Sequence, residues 1–181
     1  HAGIYYPAGS SKARLCVAGR KLLYEYCEAR NVPFDRCGKL IVATNQDQVA
    51  KLQDIRQAAA TNGADDLTMM SGVQARQIEP ALDCVAALHS PSTGIIDSHA
   101  YMQALLGDAT SHGASLALQS VVARGSATSN GIRLTVHSPD SAPMELLADV
   151  VINAAGLDAP SLAARIDGLD LRHVPQAHFA K

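Results

Sequence analysis

The chain has 181 residues, 48% of them hydrophobic, and its 15 Lys and Arg against 17 Asp and Glu leave a formal net charge of −2. That apolar content can bury a core in one domain or in two small ones, while the scattered cations make neither a nucleic-acid footprint nor a polybasic membrane patch. No apolar run nears the roughly 20 residues that a membrane-crossing helix needs, so the expected partner is a small molecule, with no nucleic acid and no transmembrane segment.

In chain order, the pattern alternates helices and strands. Ser10-Ser11 open a helix whose face carries Leu15, Leu22, Leu23, Tyr26 and Cys27, and which ends near Asn31-Val32-Pro33. "GKLIVAT" at 38–44 reads as a strand. A second helix starts at Asn45, with Gln48 three residues on supporting the cap, shows Val49, Leu52, Ile55 and Ala59, and stops at Asn62-Gly63. Residues 71–79 make a short helix before Pro80, 82–88 a strand, and Met69-Met70 a piece of core. Ser98 caps a third helix with Tyr101, Met102, Leu105 and Ala109, closed by Gly113.

From there the period changes to two. Leu116, Leu118 and Val122 keep the even positions of one strand, and Ile132, Leu134 and Val136 those of the next, with "RGSATSNG" as the loop, Arg124 included. "SPDSAP" turns into "MELLA". Val150, Val151 and Ile152 lack in/out alternation and read as a strand covered on both faces, as in the middle of a parallel sheet. The run then gives way to Asn153, Ala154, Ala155 and Gly156, which leave bare backbone at the strand's carboxyl end, the usual ligand position in open α/β sheets. Asp158 caps "DAPSLAARI", with Pro160 in its first turn. Such a turn holds something flat or anionic, or is simply a close-packed strand-to-helix connection. The fold class is α/β, of mixed α+β kind, with a β-meander feeding a buried strand.

Cys16, Cys27, Cys37 and Cys84 form neither a CxxC pair nor a zinc pattern and read as buried small hydrophobes in a reducing compartment. The histidines include no HExxH or HxH, so no metal site is expected; Asp97 and His99 stand close enough to share a hydrogen bond. No targeting segment is readable, and a cytoplasmic location is expected, with peripheral membrane association left open.

Four stretches carry a resemblance: "HAGIYYPAGSSKARLC" at the start, "CGKLIVAT" at 37–44, "SPSTGIIDSHAYM" at 90–102 and "VVINAAGLDAPSLA" at 150–163. Together, and in that order, they resemble the flavin-dependent L-2-hydroxyglutarate dehydrogenase group within the D-amino-acid oxidase and glycine oxidase superfamily. The resemblance implies FAD as cofactor, and a Rossmann-like FAD-binding domain interleaved with a substrate-binding cap. It implies an enzyme that oxidises a 2-hydroxy acid such as L-2-hydroxyglutarate at its Cα–H. On this basis 1–31 is the flavin-side segment and a helix of the FAD domain, 32–95 a cap portion, 96–165 FAD domain with the meander, and 166–181 the start of a second cap portion. No GxGxxG occurs in these residues, so the resemblance further implies an internal fragment of a longer parent, the fragment alone being inactive.

Residue by residue, the resemblance places Ala155 and Gly156 under the flavin nucleotide, Val122 with its main chain at the adenine, and Ala2 and Gly3 beside the isoalloxazine ring. His1 becomes the first candidate for the base that takes the hydroxyl proton, since an imidazole titrates near neutrality. A dicarboxylate needs cations and donors: Lys12, Arg14 and Lys39 are available, with Tyr5 and Tyr101 as hydroxyls, although Lys12 and Arg14 are two apart on a helix and point different ways. The rival readings are an amine-oxidising relative of the glycine oxidase kind and a non-enzymatic small-molecule-binding module. The electron acceptor is left open.

Overall fold

The computed structural model describes residues 2–139 and 141–174. The chain separates into two compact units, the first ending at Ala114 and the second beginning at Ser115.

In the first unit, helix α1 (Ser11–Arg30) begins where the Ser10 side chain accepts the Ala13 N–H, and ends where Asn31 turns left-handed at φ 53° and donates to the Cys27 and Glu28 carbonyls. Its covered stripe is not the leucine face that the sequence suggests. Ala13, Tyr24 and Cys27 are buried while Leu15 and Leu22 lie in solvent. With Val17 packed on the core, the stripe runs 13, 17, 20, 24, 27 at helical spacing.

Strands β1 (Phe34–Asp35) and β2 (Lys39–Ala43) follow, then a 3₁₀ turn at Gln46–Gln48 capped by the Asn45 side chain, then α2 (Val49–Thr61). Strand β3 (Thr68–Ser71) had no period-two signature. Ser71 and Gln74 form a reciprocal capping box that opens α3 (Gly72–Ile78). Strand β4 falls at Ala86–Ser90 rather than 82–88, followed by β5 (Ile95–Ile96) and α4 (Ser98–Ser111). Ser98 is the first residue of α4 and not its cap: the Asp97 carboxylate accepts the Ala100 N–H at 3.0 Å.

Strand β4 is central in an antiparallel sheet of order β2-β4-β3, with Leu88 opposite both Ile41 and Met69. This sheet and α2 enclose the main core, in which Ile4, Leu52, Ala59, Leu67 and Leu88 are buried and Val17, Ile55 and Met69 pack at the margin. Burying a side chain such as Leu88 contributes about 1.5–3 kcal/mol. A two-stranded ribbon joins β1 to β5, Phe34 facing Ile96.

The second unit is a sheet of order β8-β7-β6-β9, built from β6 (Val121–Thr128), β7 (Gly131–His137), β8 (Met144–Ala148) and, after helix α5 (Ala159–Ala163), β9 (Ile166–Asp167). Three strands are antiparallel and β9 runs parallel to β6, so the sheet is mixed. Leu134 and Val136 are its buried side chains, as their alternation predicts.

Four local expectations fail here. Leu116 and Leu118 are exposed and precede β6, because Gln119 takes a left-handed φ of 53° that interrupts any strand through them. "RGSAT" is strand, not loop: β6 runs to Thr128 and the turn is the two residues Ser129 and Asn130, tied by the Thr128 hydroxyl donating to the Gly131 carbonyl at 2.7 Å. Val150 and Ile152 are 75% and 86% exposed and pair with no described strand; an apolar run becomes a strand only where a neighbour supplies its hydrogen bonds. Asp158 makes no side-chain cap, since a 3₁₀ turn at Gly156–Asp158 opens α5 with Asp158 already helical.

The cysteines divide. Cys27 and Cys84 are buried, Cys16 is half-buried and Cys37 is exposed; all four are free thiols.

Candidate functional site

The residues preceding α1 form a loop held from three sides. Ala2 and Ile4 are buried, Ile4 within the main core. Gly3 lies at φ +83°, where a Cβ would stand 2.6 Å from Val17 Cγ2, so only glycine lets the chain pass this close to α1. At the end of α2, Asn62 Nδ2 donates to the Gly3 carbonyl at 3.3 Å and to the Tyr6 carbonyl at 2.8 Å. His1 lies outside the described residues.

Of the residues proposed for substrate, Tyr5 and Lys39 are brought together, the ammonium 4.7 Å from the ring centroid. Lys12 stands over the Tyr6 ring at 5.7 Å, and Arg14 is exposed on α1. Tyr101 meets the Tyr26 ring edge-on at 5.6 Å, which places it in the seam between α1 and α4. There Tyr26 and Arg30 both bond the Asp108 carboxylate. The expected Asp97–His99 hydrogen bond is absent among the described residues, because Asp97 is occupied as the α4 cap.

Beside Ala2 opens a largely apolar cleft of about 400 Å³ between α1 and the turn before β5, with Leu23, Thr93, Gly94 and Ile96 in its wall. Arg20 is its cation. The guanidinium Nη1 bonds the Ser92 hydroxyl and lies 3.7 Å from Asp66. The Tyr24 hydroxyl donates to the Ser92 carbonyl at 3.0 Å, and the Arg36 guanidinium covers the Tyr24 ring at 4.3 Å. Burial pushes the Tyr24 phenol above its ordinary range, against the pull of Arg36 and Arg20, so it remains a donor. Sequence reasoning overlooked Arg20, Tyr24, Asn62, Asp66 and Ser92. The signal for the first two was present in the 13, 17, 20, 24, 27 spacing, which a search for large apolar residues passes over.

In the second unit, the Asn153–Gly156 turn is exposed backbone. Asn153 stabilises it from within, accepting the Ala155 N–H at 3.3 Å and donating to the Ala159 carbonyl at 2.8 Å. Gly156 sits at φ +59°, with no atom within 4 Å of where its Cβ would be. Val122 pairs with Val136, just before a bulge that separates it from Arg124 in the register.

Two features, each within its own unit, are compatible with part of a flavin nucleotide. In the first unit the cleft beside Ala2 is largely apolar, with a volume of about 400 Å³, and in the second unit the turn at Ala155 and Gly156 exposes main chain with no atom within 4 Å of the Gly156 Cβ position. The described residues hold no cluster of His, Cys, Asp and Glu suited to a metal.

Residues 1–180 match the sequence family described as FAD dependent oxidoreductase, and the chain belongs to that family. Within it, the chain is 37% identical over its whole length to the mitochondrial L-2-hydroxyglutarate dehydrogenase of Arabidopsis thaliana, of which it covers 43%. It is 44% identical to the Nematostella vectensis protein of the same name, over 54% of this chain and 21% of that one. The chain thus spans under half the length of the curated relatives it matches.

Among solved structures, the L-alpha-glycerophosphate oxidase of Mycoplasma pneumoniae with FAD bound superimposes over 92% of this chain and 44% of its own, with TM-score 0.81 and 23% identity. The glycine oxidase of Geobacillus kaustophilus does so over 90% and 45%, with TM-score 0.74 and 22% identity. These establish the mixed α/β fold of FAD-dependent oxidoreductases. No helix among the described residues is long and apolar enough to cross a membrane.

Proposed function

We propose that the full-length protein containing this chain is an FAD-dependent dehydrogenase that oxidises a 2-hydroxy acid, L-2-hydroxyglutarate being the best-supported substrate. The observation that carries the reading is the identity of 37% to an L-2-hydroxyglutarate dehydrogenase, spread over the whole chain and not confined to one motif. Amine oxidation has weaker support, because the glycine oxidases are similar at fold level only. A non-enzymatic binding module is disfavoured by the family match over residues 1–180.

The flavin, when bound, supplies the two-electron acceptor for the substrate's Cα–H hydride. The roles proposed for the chain's own residues are those that the resemblance implies. Ala2 and Gly3 offer main chain beside the ring, Ala155 and Gly156 lie under the nucleotide, and Val122 meets the adenine through its backbone. His1 accepts the hydroxyl proton as hydride leaves. Tyr5 and Lys39 form one polar pair for a substrate carboxylate, with Arg14 and Tyr101 as further donors. Residues 1–31 and 96–165 belong to the FAD domain in this reading, and 32–95 and 166–181 to the cap. The four free thiols suit a reducing compartment, which the cytoplasm and the mitochondrial matrix both provide; the mitochondrial names belong to the relatives.

The test is anaerobic reduction of the purified full-length protein. L-2-hydroxyglutarate should bleach the flavin absorbance, and glycine or sarcosine should leave it unchanged. Bleaching by the amines alone assigns the protein to the amine oxidases, and a colourless protein unaltered by FAD removes the enzyme reading.

A further inference from the structure

We infer that Asn62 is a positioning residue for the reaction: it fixes the loop from Gly3 to Tyr6 and thereby the main chain that directly follows His1. The inference rests on the functional reading above for the reaction it serves, and on geometry for the clamp. Both donors of one amide nitrogen are used on the same loop, at 3.3 Å to the Gly3 carbonyl and 2.8 Å to the Tyr6 carbonyl. Two bonds to carbonyls three residues apart fix the orientation of a loop as well as its distance, which a single bond does not.

The clamp is itself anchored. Asn62 closes α2, its backbone N–H bonded to the Ala58 and Ala59 carbonyls at 3.2 and 3.0 Å. Helix α2 is in turn held in the core by the buried Leu52 and Ala59. A site built on a helix end holds its contacts more tightly than one carried by a free loop.

Packing alone does not account for the residue. Ile4, 1% exposed, already secures the middle of the loop in the core. The Asn62 Oδ1 atom is buried with no hydrogen-bond partner among the described residues. An unsatisfied buried acceptor lowers stability, so the favourable contribution of the amide at this place comes from its nitrogen. The held carbonyls belong to the segment beginning at Ala2 and Gly3, where small displacements of a catalytic group are costly in rate.

The experiment uses the full-length protein with Asn62→Asp, which keeps the shape but replaces both donors with an oxygen facing two carbonyls, and with Asn62→Ala in case the charge prevents folding. Hydrogen–deuterium exchange of the amides at 3–6 should accelerate about tenfold or more. Flavin reduction by L-2-hydroxyglutarate, normalised to bound flavin, should slow by about 10–100-fold. In a His1→Asn background the further loss from Asn62→Ala should be under about twofold, because a base that is absent cannot be misplaced.

A lower melting temperature with unchanged normalised rate makes Asn62 purely structural and overturns the proposal, as do equal fold-losses in both backgrounds. If L-2-hydroxyglutarate fails to reduce the wild-type flavin, the substrate reading falls by itself. Exchange at 3–6 then decides the clamp, unchanged protection overturning it and faster exchange upholding it.

Discussion

Tyr26 and Asp108 join helices α1 and α4 through a 2.7 Å hydrogen bond, the phenol donating to Oδ2 while Arg30 Nη2 pairs with Oδ1 at 2.8 Å. The contact shapes both titrations. Asp108 is held below its ordinary 3.8, first by the Tyr26 hydrogen bond and then by the hydrogen bond and charge of Arg30. Tyr26 is raised above 10.0, chiefly by the same bond.

A depressed carboxylate contributes stability that is complete above the unfolded value and is lost as pH falls through the folded one. The acid loss therefore begins below about pH 4. A raised phenol contributes stability that is complete below the unfolded value and is lost as pH rises through the folded one, so its loss begins above about pH 10. Melting temperatures followed across pH should show Tyr26→Phe reducing both the alkaline and the acid loss, and Asp108→Asn reducing the acid one, with the raised Tyr24 and Cys27 and the lowered Asp170 keeping the remainder. Profiles parallel to wild type at both ends would mean that the seam contributes nothing.

Gly3→Ala should destabilise the protein by about 1–2 kcal/mol from the left-handed backbone alone, with more from the 2.6 Å approach to Val17. Chemical denaturation measures the stability. Because the strained loop begins beside the proposed flavin ring, bound flavin should fall too, and full flavin content with native stability refutes this account of the loop.

Gly156→Val should behave differently. Its Cβ meets no protein atom within 4 Å, so the stability cost is confined to the φ of +59°, about 1–2 kcal/mol. If the nucleotide lies against this backbone, flavin content after purification should drop about tenfold or more while the fold survives. Undiminished flavin would remove Ala155 and Gly156 from the cofactor site.

His1→Asn should retain flavin and slow its reduction by L-2-hydroxyglutarate by about 10²–10⁴-fold, the contribution of a positioned general base. Stopped-flow rates against pH, normalised to bound flavin, should rise through one ionisation in wild type and lack it in the variant. Identical profiles would assign the proton to another group.

The legible parts of this fold were those where local chemistry and tertiary need agree. Ser10, Asn45 and Ser71 mark real helix ends because their side-chain bonds are short-range, and Leu134 and Val136 are buried because β7 has one covered face. Strand β3 was invisible because Thr68–Ser71 is half-buried by β4 and not by its own alternation. Val150–Ile152 misled because apolar composition records a preference for burial without saying what covers it. Among site residues, the pairing of Lys39 with Tyr5 and the role of Asn62 depend on separations of 34 and 59 residues. No periodicity within one element encodes contacts of that range, and only the assembled unit brings them together.

The tie between α1 and Ser92 also sets a timetable. Arg20 and Tyr24 find their partner 72 and 68 residues downstream. At about 5–20 residues per second, a ribosome supplies Ser92 roughly 4–14 s after Arg20. A helix of this length forms in about 1 μs, so α1 is complete roughly a million-fold sooner than the residue that locks it. Throughout that interval Tyr24, buried in the finished unit, lacks the residue that secures it, whereas Leu15 and Leu22 stay exposed before and after. Chaperone engagement during synthesis should be highest before Ser92 is supplied, and a translational pause between the codons for Arg20 and Ser92 should prolong it.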